Sequence, residues 1–283
     1  MLQKRTFAGI STALRRRLHN ALSSRPCGLL SDIDGTLSPI APTPGQAVLL
    51  PEVAEELQEA SHVFAIVAAI SGRAASDARR LVGLDEIIYI GNHGLEQILP
   101  ERPNEVQVLP EAAPYAETIT AILRQVGDEF ITKYPEIIVE AKGVSGSIHV
   151  RQTANPLLAE HEIAARLEAL AAPVHLRVTR GKAVVELRTP LQIDKGTSVT
   201  QLVELFALKT ALYLGDDRTD IDAFRALRAL TAAGRCEGFA VAVLHPEAPP
   251  DLADEADIVL PTIDQVPQFL RYVIALASGT AGS

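Results

Sequence analysis

The stretch Cys27-Gly28-Leu29-Leu30-Ser31-Asp32-Ile33-Asp34-Gly35-Thr36-Leu37 decides the reading of the fold. Its first half is a short apolar run, and it stops abruptly at two acids and a glycine. A continuous apolar run this short suits a strand buried on both faces of a parallel sheet. The same pattern recurs along the chain. Residues 63–70 lead into Ser71-Gly72-Arg73, and residues 87–90 into Gly91-Asn92-His93-Gly94. Residues 211–214 lead into Gly215-Asp216-Asp217, residues 239–244 precede His245-Pro246, and residues 258–260 precede Pro261. Helical patterns lie between these runs, over 52–60, 74–82, 197–208 and 220–230. Strand alternating with helix predicts an α/β fold, a doubly wound parallel-sheet core of Rossmann type. In such a sheet ligands bind at the carboxyl ends of the strands, which is where the polar clusters fall.

The middle of the chain follows a different rhythm. Residues 111–130 are helical, and 137–141 with 147–152 read as a strand pair around Lys142-Gly143-Val144-Ser145-Gly146. Residues 157–170 are helical again, and 174–179 with 183–188 form a second pair around Arg180-Gly181-Lys182. Helix, hairpin, helix, hairpin is an α+β module. The expected organisation is therefore a core of residues 1–98 and 191–283 with an inserted cap domain over 99–190.

Composition bounds the function. Apolar residues make up 47% of the 283 and charged residues 22%, a globular balance. The net charge of −9 argues against non-specific nucleic-acid binding. No apolar run approaches the roughly 20 residues of a membrane helix, so no membrane span is expected. Cys27 and Cys236 have no metal-like or redox-like spacing. A reducing, cytoplasmic compartment is the simplest reading, and a monomer is favoured. The charge is uneven. Residues 1–31 hold Lys4, Arg5, Arg15, Arg16, Arg17 and Arg25 without an acid; taking those six charges from −9 leaves −15 on the rest. An Arg-rich, acid-free beginning is compatible with a transit peptide. The plainer alternative is a helix before the first strand, its basic face in solvent.

Four clusters carry chemistry. Residues two apart in an extended segment point the same way, so Asp32 and Asp34 would face one site. One carboxylate can attack phosphorus; the other can protonate the leaving oxygen and then activate water. Gly35 allows a sharp turn, and the Thr36 hydroxyl can bind phosphate. Ser71-Gly72-Arg73 opens a helix, where a hydroxyl and free N–H groups make an anion cradle; a plain Ser helix cap is the alternative. Lys195, just before another helix, can neutralise phosphate and nucleophile together. Asp216, Asp217 and Asp220 would repel one another without a cation, and Mg²⁺ takes such oxygen ligands. A charged helix start is the alternative there. Each cluster has a bland reading, but their joint order along one sheet argues against coincidence.

These four clusters resemble the four motifs of the haloacid dehalogenase superfamily of phosphatases. The resemblance implies Asp32 as nucleophile and Asp34 as general acid/base, with Ser71 and Lys195 on the phosphoryl group. It implies Mg²⁺ held by the Asp32 carboxylate, the Asp34 carbonyl and Asp216, with Asp217 or Asp220 in support. Further stretches resemble the trehalose-6-phosphate phosphatases. They are Asp34-Gly35-Thr36-Leu37-Ser38-Pro39-Ile40, Gly91-Asn92-His93-Gly94-Leu95-Glu96, Val139-Glu140-Ala141-Lys142 with Ser147-Ile148-His149-Val150-Arg151, Gly181-Lys182-Ala183-Val184-Val185-Glu186-Leu187-Arg188, and Gly215-Asp216-Asp217-Arg218-Thr219-Asp220 with Ala223-Phe224. That likeness runs over nearly the whole chain from about residue 27. It implies hydrolysis of trehalose 6-phosphate, a small sugar-phosphate substrate, with Glu140, Lys142 and Glu186 gripping the distal glucose. Carboxylates and Lys bind hydroxyls through charge-assisted hydrogen bonds; an ordinary cross-strand charge pattern is the plain alternative. Thr36, Gly72 and Arg73 are expected on the substrate side of the site. His93 is expected either there, lining the domain interface, or bonded to backbone in its turn. The chain departs from the family pattern at Ile221, where an acid is usual, and at Thr189, which separates Arg188 from Pro190. A sucrose-phosphate or glycosyl-phosphoglycerate phosphatase is the nearest alternative, and a non-catalytic sugar-phosphate sensor the next.

Overall fold

The computed structural model describes residues 6–181 and 183–280. Lys4 and Arg5 of the basic beginning, and Lys182 of the second hairpin, lie outside the described residues. The chain divides into two compact units, residues 1–106 with 193–283, and residues 107–192. Leu99 packs against the apolar core of the first unit, so the chain stays with that unit beyond residue 98.

In the first unit, parallel strands β1 (Cys27–Ser31), β2 (Ile66–Ile70) and β3 (Ile88–Gly91) alternate with helices α2 (Pro51–Val63) and α3 (Ala75–Val82). A short β4 (Glu96–Ile98) pairs antiparallel with β3. It was not expected, because three residues with a buried Glu leave no apolar signal. After the second unit the alternation resumes with α6 (Lys195–Leu205), β10 (Thr210–Gly215), α7 (Arg218–Ala232), β11 (Glu237–Val243), α8 (Leu252–Glu255), β12 (Ile258–Leu260) and α9 (Val266–Ser278). Within this unit the strands lie in the order β12-β11-β10-β1-β2-β3-β4. Strand order runs outward in both directions from the β10/β1 pair, which makes that pair the topological switch point.

Burial on both faces follows from strict alternation. Leu29, Leu212, Leu214, Phe239, Val241 and Val243 face a cluster closed by α2, α3, α9 and α1 (Thr12–Leu22). Leu30, Ala211, Tyr213, Ala240 and Ala242 face the opposite cluster, closed by α6, α7 and α8. Basic α1 is not simply a solvated face. Arg15 and Arg16 are exposed, but the Arg17 guanidinium lies 4.6 Å from the Phe239 ring centroid and pairs with Glu237. Arg25 donates to the carbonyls of Val63 and Ala277. A cation stacked on a core aromatic is part of the packing.

The second unit opens with β5 (Gln107–Val108) and folds around an antiparallel sheet of β6 (Ile138–Ala141), β7 (Ser145–His149), β9 (Val184–Arg188) and β8 (Arg177–Gly181), in that order. Helices α4 (Ala116–Phe130) and α5 (Pro156–Ala171) enclose its own core, with Ile119, Leu123, Ile163, Leu167, Ile148 and Val185. Strand β7 begins two residues before the expected 147, since the small Ser145 and Gly146 are buried in pairing with Arg188 and Leu187.

Candidate active site

Adjacent strands β1 and β10 deliver the first acids side by side. The Asp32 N–H donates to Leu214 O at 2.8 Å, so the ladder carries Asp32 to the end of β1 beside Asp216. Lys195 is the first residue of α6, whose N-cap Asp194 accepts from the Thr197 N–H at 2.7 Å. The Lys195 Nζ reaches Asp32 Oδ1 at 2.9 Å and Asp220 Oδ1 at 2.7 Å. Asp32, Lys195, Asp216 and Asp220 are at most 5% exposed, so solvent does little to screen these charges. The Tyr213 hydroxyl donates to the same Asp220 oxygen at 2.7 Å. Asp220 Oδ2 accepts from the N–H groups of Asp216 and Asp217 at 2.8 and 2.9 Å. Gly215 permits this hook: a Cβ there would stand 2.3 Å from the Asp220 carboxylate carbon.

One oxygen from each of Asp32, Asp216 and Asp220 lies within 4.8 Å of the others. Three carboxylates against one ammonium leave two negative charges unbalanced. Burial first, then mutual repulsion, raises the pKa values of Asp32 and Asp216 well above the ordinary carboxylate range; the ammonium and, for Asp216, the Thr36 hydroxyl act in the other direction. Burial pulls the Lys195 pKa down, but Asp220 and Asp32 outweigh it and hold the pKa well above its usual value. An all-oxygen donor set with an excess of two negative charges fits a hard divalent cation. Asp32 and Asp216 could offer it an oxygen each, while both oxygens of Asp220 are already committed to N–H, O–H and ammonium groups.

Several side chains are used differently from the sequence expectation. Asp217, expected at the metal, is the N-cap of α7: its Oδ1 accepts from the Thr219 N–H and hydroxyl at 2.7 Å each, in a capping box with Asp220. Burial pushes its pKa up, but Lys195 and the Thr219 hydrogen bonds prevail and hold it below the usual value. The Thr36 hydroxyl, expected on phosphate, is fully buried and donates to Asp216 Oδ1 at 2.7 Å. Asp34 stands apart from the buried acids. Its carboxylate is gripped by Arg73, Nε to Oδ2 at 2.6 Å and Nη2 to Oδ1 at 2.7 Å, and it is 36% exposed.

Ser71 is buried at the end of β2 and its Oγ accepts from the Arg73 N–H at 3.2 Å. It does not cap α3. The N-cap is Ala74, and the first N–H of that helix, on Ala75, is taken by Glu96 Oε1 at 2.5 Å. Gly72 lies within the Ser71–Arg73 turn, beside the His93 ring. His93 has a left-handed backbone (φ 57°), and its N–H donates to Ser71 O at 3.0 Å. Three groups here have no role in the sequence reading: Tyr213 and Glu96, which brace the site, and His245, whose Nε2 is 3.0 Å from Asp216 Oδ2. Only a polar residue at a strand end, as His245 is, offered a signal.

In the second unit the register Glu140–Ser147–Glu186–Thr179 sets one polar row across the sheet. Lys142 Nζ donates to Ser147 Oγ at 2.9 Å and lies 3.6 and 3.8 Å from Glu140 and Glu186. His149 Nε2 is 2.9 Å from Glu140 Oε2. The three expected sugar-binding residues therefore form one cluster on one face.

The fold is that of the haloacid dehalogenase-like hydrolases: one from Bacteroides thetaiotaomicron superposes with a TM-score of 0.57 at 17% identity, over 88% of this chain and all of that one (100%). The C-terminal domain of C. albicans trehalose-6-phosphate phosphatase superposes with a TM-score of 0.73 at 23% identity, over 92% of this chain and 96% of that one. The sequence model described as Trehalose-phosphatase matches residues 30–250, and the chain belongs to that family. Over 213 residues it is 34% identical to the trehalose-phosphate phosphatase of Mycobacterium tuberculosis (strain ATCC 25618 / H37Rv), which is 73% of this chain and 53% of that protein. The chain thus spans about half the length of that relative. Among the described residues no helix is long and apolar enough to cross a membrane.

Proposed function

We propose that this chain hydrolyses trehalose 6-phosphate to trehalose and phosphate with Mg²⁺, through an aspartyl-phosphate on Asp32. The observation that carries the reading is the buried contact of Lys195 Nζ with Asp32 Oδ1 at 2.9 Å, beside Asp216 at the switch point of the sheet. Membership of the trehalose-phosphatase family supports the substrate.

In this mechanism an Asp32 oxygen attacks phosphorus and the bond to the sugar oxygen breaks. Asp34 gives that oxygen a proton, then takes one from the water that cleaves the aspartyl-phosphate. The bidentate Arg73 pair orients the Asp34 carboxylate, whose remaining lone pairs are open for proton transfer. Lys195 opposes the burial-driven rise of the Asp32 pKa and offsets phosphoryl charge, and Ser71 donates its hydroxyl to the phosphoryl group. Asp32 and Asp216, with the Asp34 carbonyl, would hold Mg²⁺, which when bound would supply neutralisation of phosphoryl charge. Residues 107–192 act as the cap that selects the sugar, with Glu140, Lys142 and Glu186 binding the distal glucose; His93 and Gly72 border the substrate. The proposal includes a monomer in the cytoplasm, in keeping with two buried free cysteines.

The test is phosphate release from trehalose 6-phosphate, sucrose phosphate, a glucosyl-phosphoglycerate and p-nitrophenyl phosphate, with Mg²⁺ and after chelation. Trehalose 6-phosphate should be preferred, and Asp32→Asn should be folded and inactive on all four. Preference for another ester would overturn the substrate assignment. Full activity in Asp32→Asn would overturn the mechanism.

A further inference from the structure

We infer that His245 is a positioning residue for Asp216, holding its carboxylate in the orientation that receives the divalent cation. The inference rests on the reading of Asp216 as a cation ligand. His245 follows β11, the neighbour of β10, and Gly215 pairs with Ala242 in that ladder. The ladder therefore brings the residues beyond both strand ends together, 29 positions apart in sequence.

The protonation pattern of the ring follows from its other contact. The Glu247 N–H donates to His245 Nδ1 at 3.2 Å, so Nδ1 presents a lone pair. In the neutral ring the proton is then on Nε2, which donates to Asp216 Oδ2 at 3.0 Å. The other oxygen, Oδ1, accepts from the Thr36 hydroxyl at 2.7 Å. A third side is closed by Gly35, where a Cβ would stand 2.2 Å from Asp216 Oδ2. With one donor on each oxygen, the carboxylate cannot rotate without breaking both bonds. A carboxylate has about four lone-pair directions, so two donors leave room for a cation.

Asp216 is buried near Asp32 and Asp220, and repulsion would turn its carboxylate away from them. A donor on each of its two oxygens opposes that turn. Partners of this kind around metal ligands change affinity by about 10–100-fold when removed.

The test is Mn²⁺ binding, followed by the electron paramagnetic resonance of free Mn²⁺, without substrate. His245→Phe keeps the ring, excludes water and removes the donor; His245→Gln restores an N–H near the Nε2 position. The dissociation constant is expected to rise about 10–100-fold in His245→Phe and to return close to wild type in His245→Gln. Without metal, His245→Gln should keep the wild-type thermal midpoint, and His245→Phe should unfold cooperatively at a lower one, as the loss of one donor to a buried oxygen requires. In the phosphatase assay the Mg²⁺ requirement should rise with little change in KM for sugar phosphate. If His245→Phe does not fold, His245→Asn, whose amide is too short to reach Oδ2, replaces it with the same expectation. Wild-type affinity in the donor-less variant, or no recovery in His245→Gln, overturns the role of His245 alone. Absence of Mn²⁺ binding in the wild type overturns both this role and the cation site beneath it.

Discussion

Lys195 has two carboxylate partners in the protein interior. Its ammonium touches Asp32 and Asp220, and all three side chains are buried. Removing one partner of a buried ion pair leaves an uncompensated charge, which costs about 3–5 kcal/mol. Lys195→Met should lower metal-free stability by that order in urea unfolding, with Mn²⁺ restoring part of it. An unchanged midpoint would count against the cluster as an electrostatic unit. Thr36→Val keeps the shape and deletes the bond to Asp216, leaving a buried oxygen one donor short; the expected loss is about 1–3 kcal/mol. At this scale the sequence was legible where spacing encodes chemistry, as at Asp32, Lys195 and Asp216. It was silent where a partner is distant. Thr36 and Asp216 are 180 positions apart, and Tyr213 reads as one more apolar strand residue although its hydroxyl braces Asp220.

Helix α7 shows how one run of acids divides its labour. Asp217 closes the capping box and Asp220 turns inward to Lys195, while Asp216 faces Asp32 across the strand ends. Loss of an N-cap carboxylate costs about 1 kcal/mol, while another good capping residue retains the effect. Asp217→Ala should therefore unfold at lower urea, Asp217→Ser should stay near wild type, and Mn²⁺ affinity should be nearly equal in both. A large fall in Mn²⁺ affinity in Asp217→Ser would instead make Asp217 a ligand. The long elements were legible because their cause is local. Strands β1, β2 and β10 are buried on both faces and so are continuously apolar. The short or polar ones were not. Strand β4 carries buried Glu96, whose reason for burial is an N–H of α3, and β7 opens on Ser145-Gly146-Ser147, which resembles a loop.

The two units answer separate questions, and each has its own core. Residues 107–192 enclose a cluster built from α4, α5 and their own sheet. A unit with its own core can fold alone, so residues 107–192 expressed by themselves should unfold cooperatively with native-like circular dichroism. The proposed reaction belongs to the acids of the first unit, which name no sugar; the polar row of the second unit is where selectivity is proposed to reside. That division makes a sharp demand on kinetics. Glu140→Gln and Glu186→Gln each replace a charged acceptor, and a hydrogen bond to a charged group is worth about 1.5–3 kcal/mol. At about 1.4 kcal/mol per factor of ten, kcat/KM for trehalose 6-phosphate should fall about 10–100-fold in each variant. Hydrolysis of p-nitrophenyl phosphate, which has no sugar to grip, should hold its wild-type rate. Lys142 lies beside Glu140 and reaches Glu186 through Ser147, so the double variant should lose less than the product of the single losses. Equal losses on both esters would mean that the row supports the fold of its sheet and does not read the substrate.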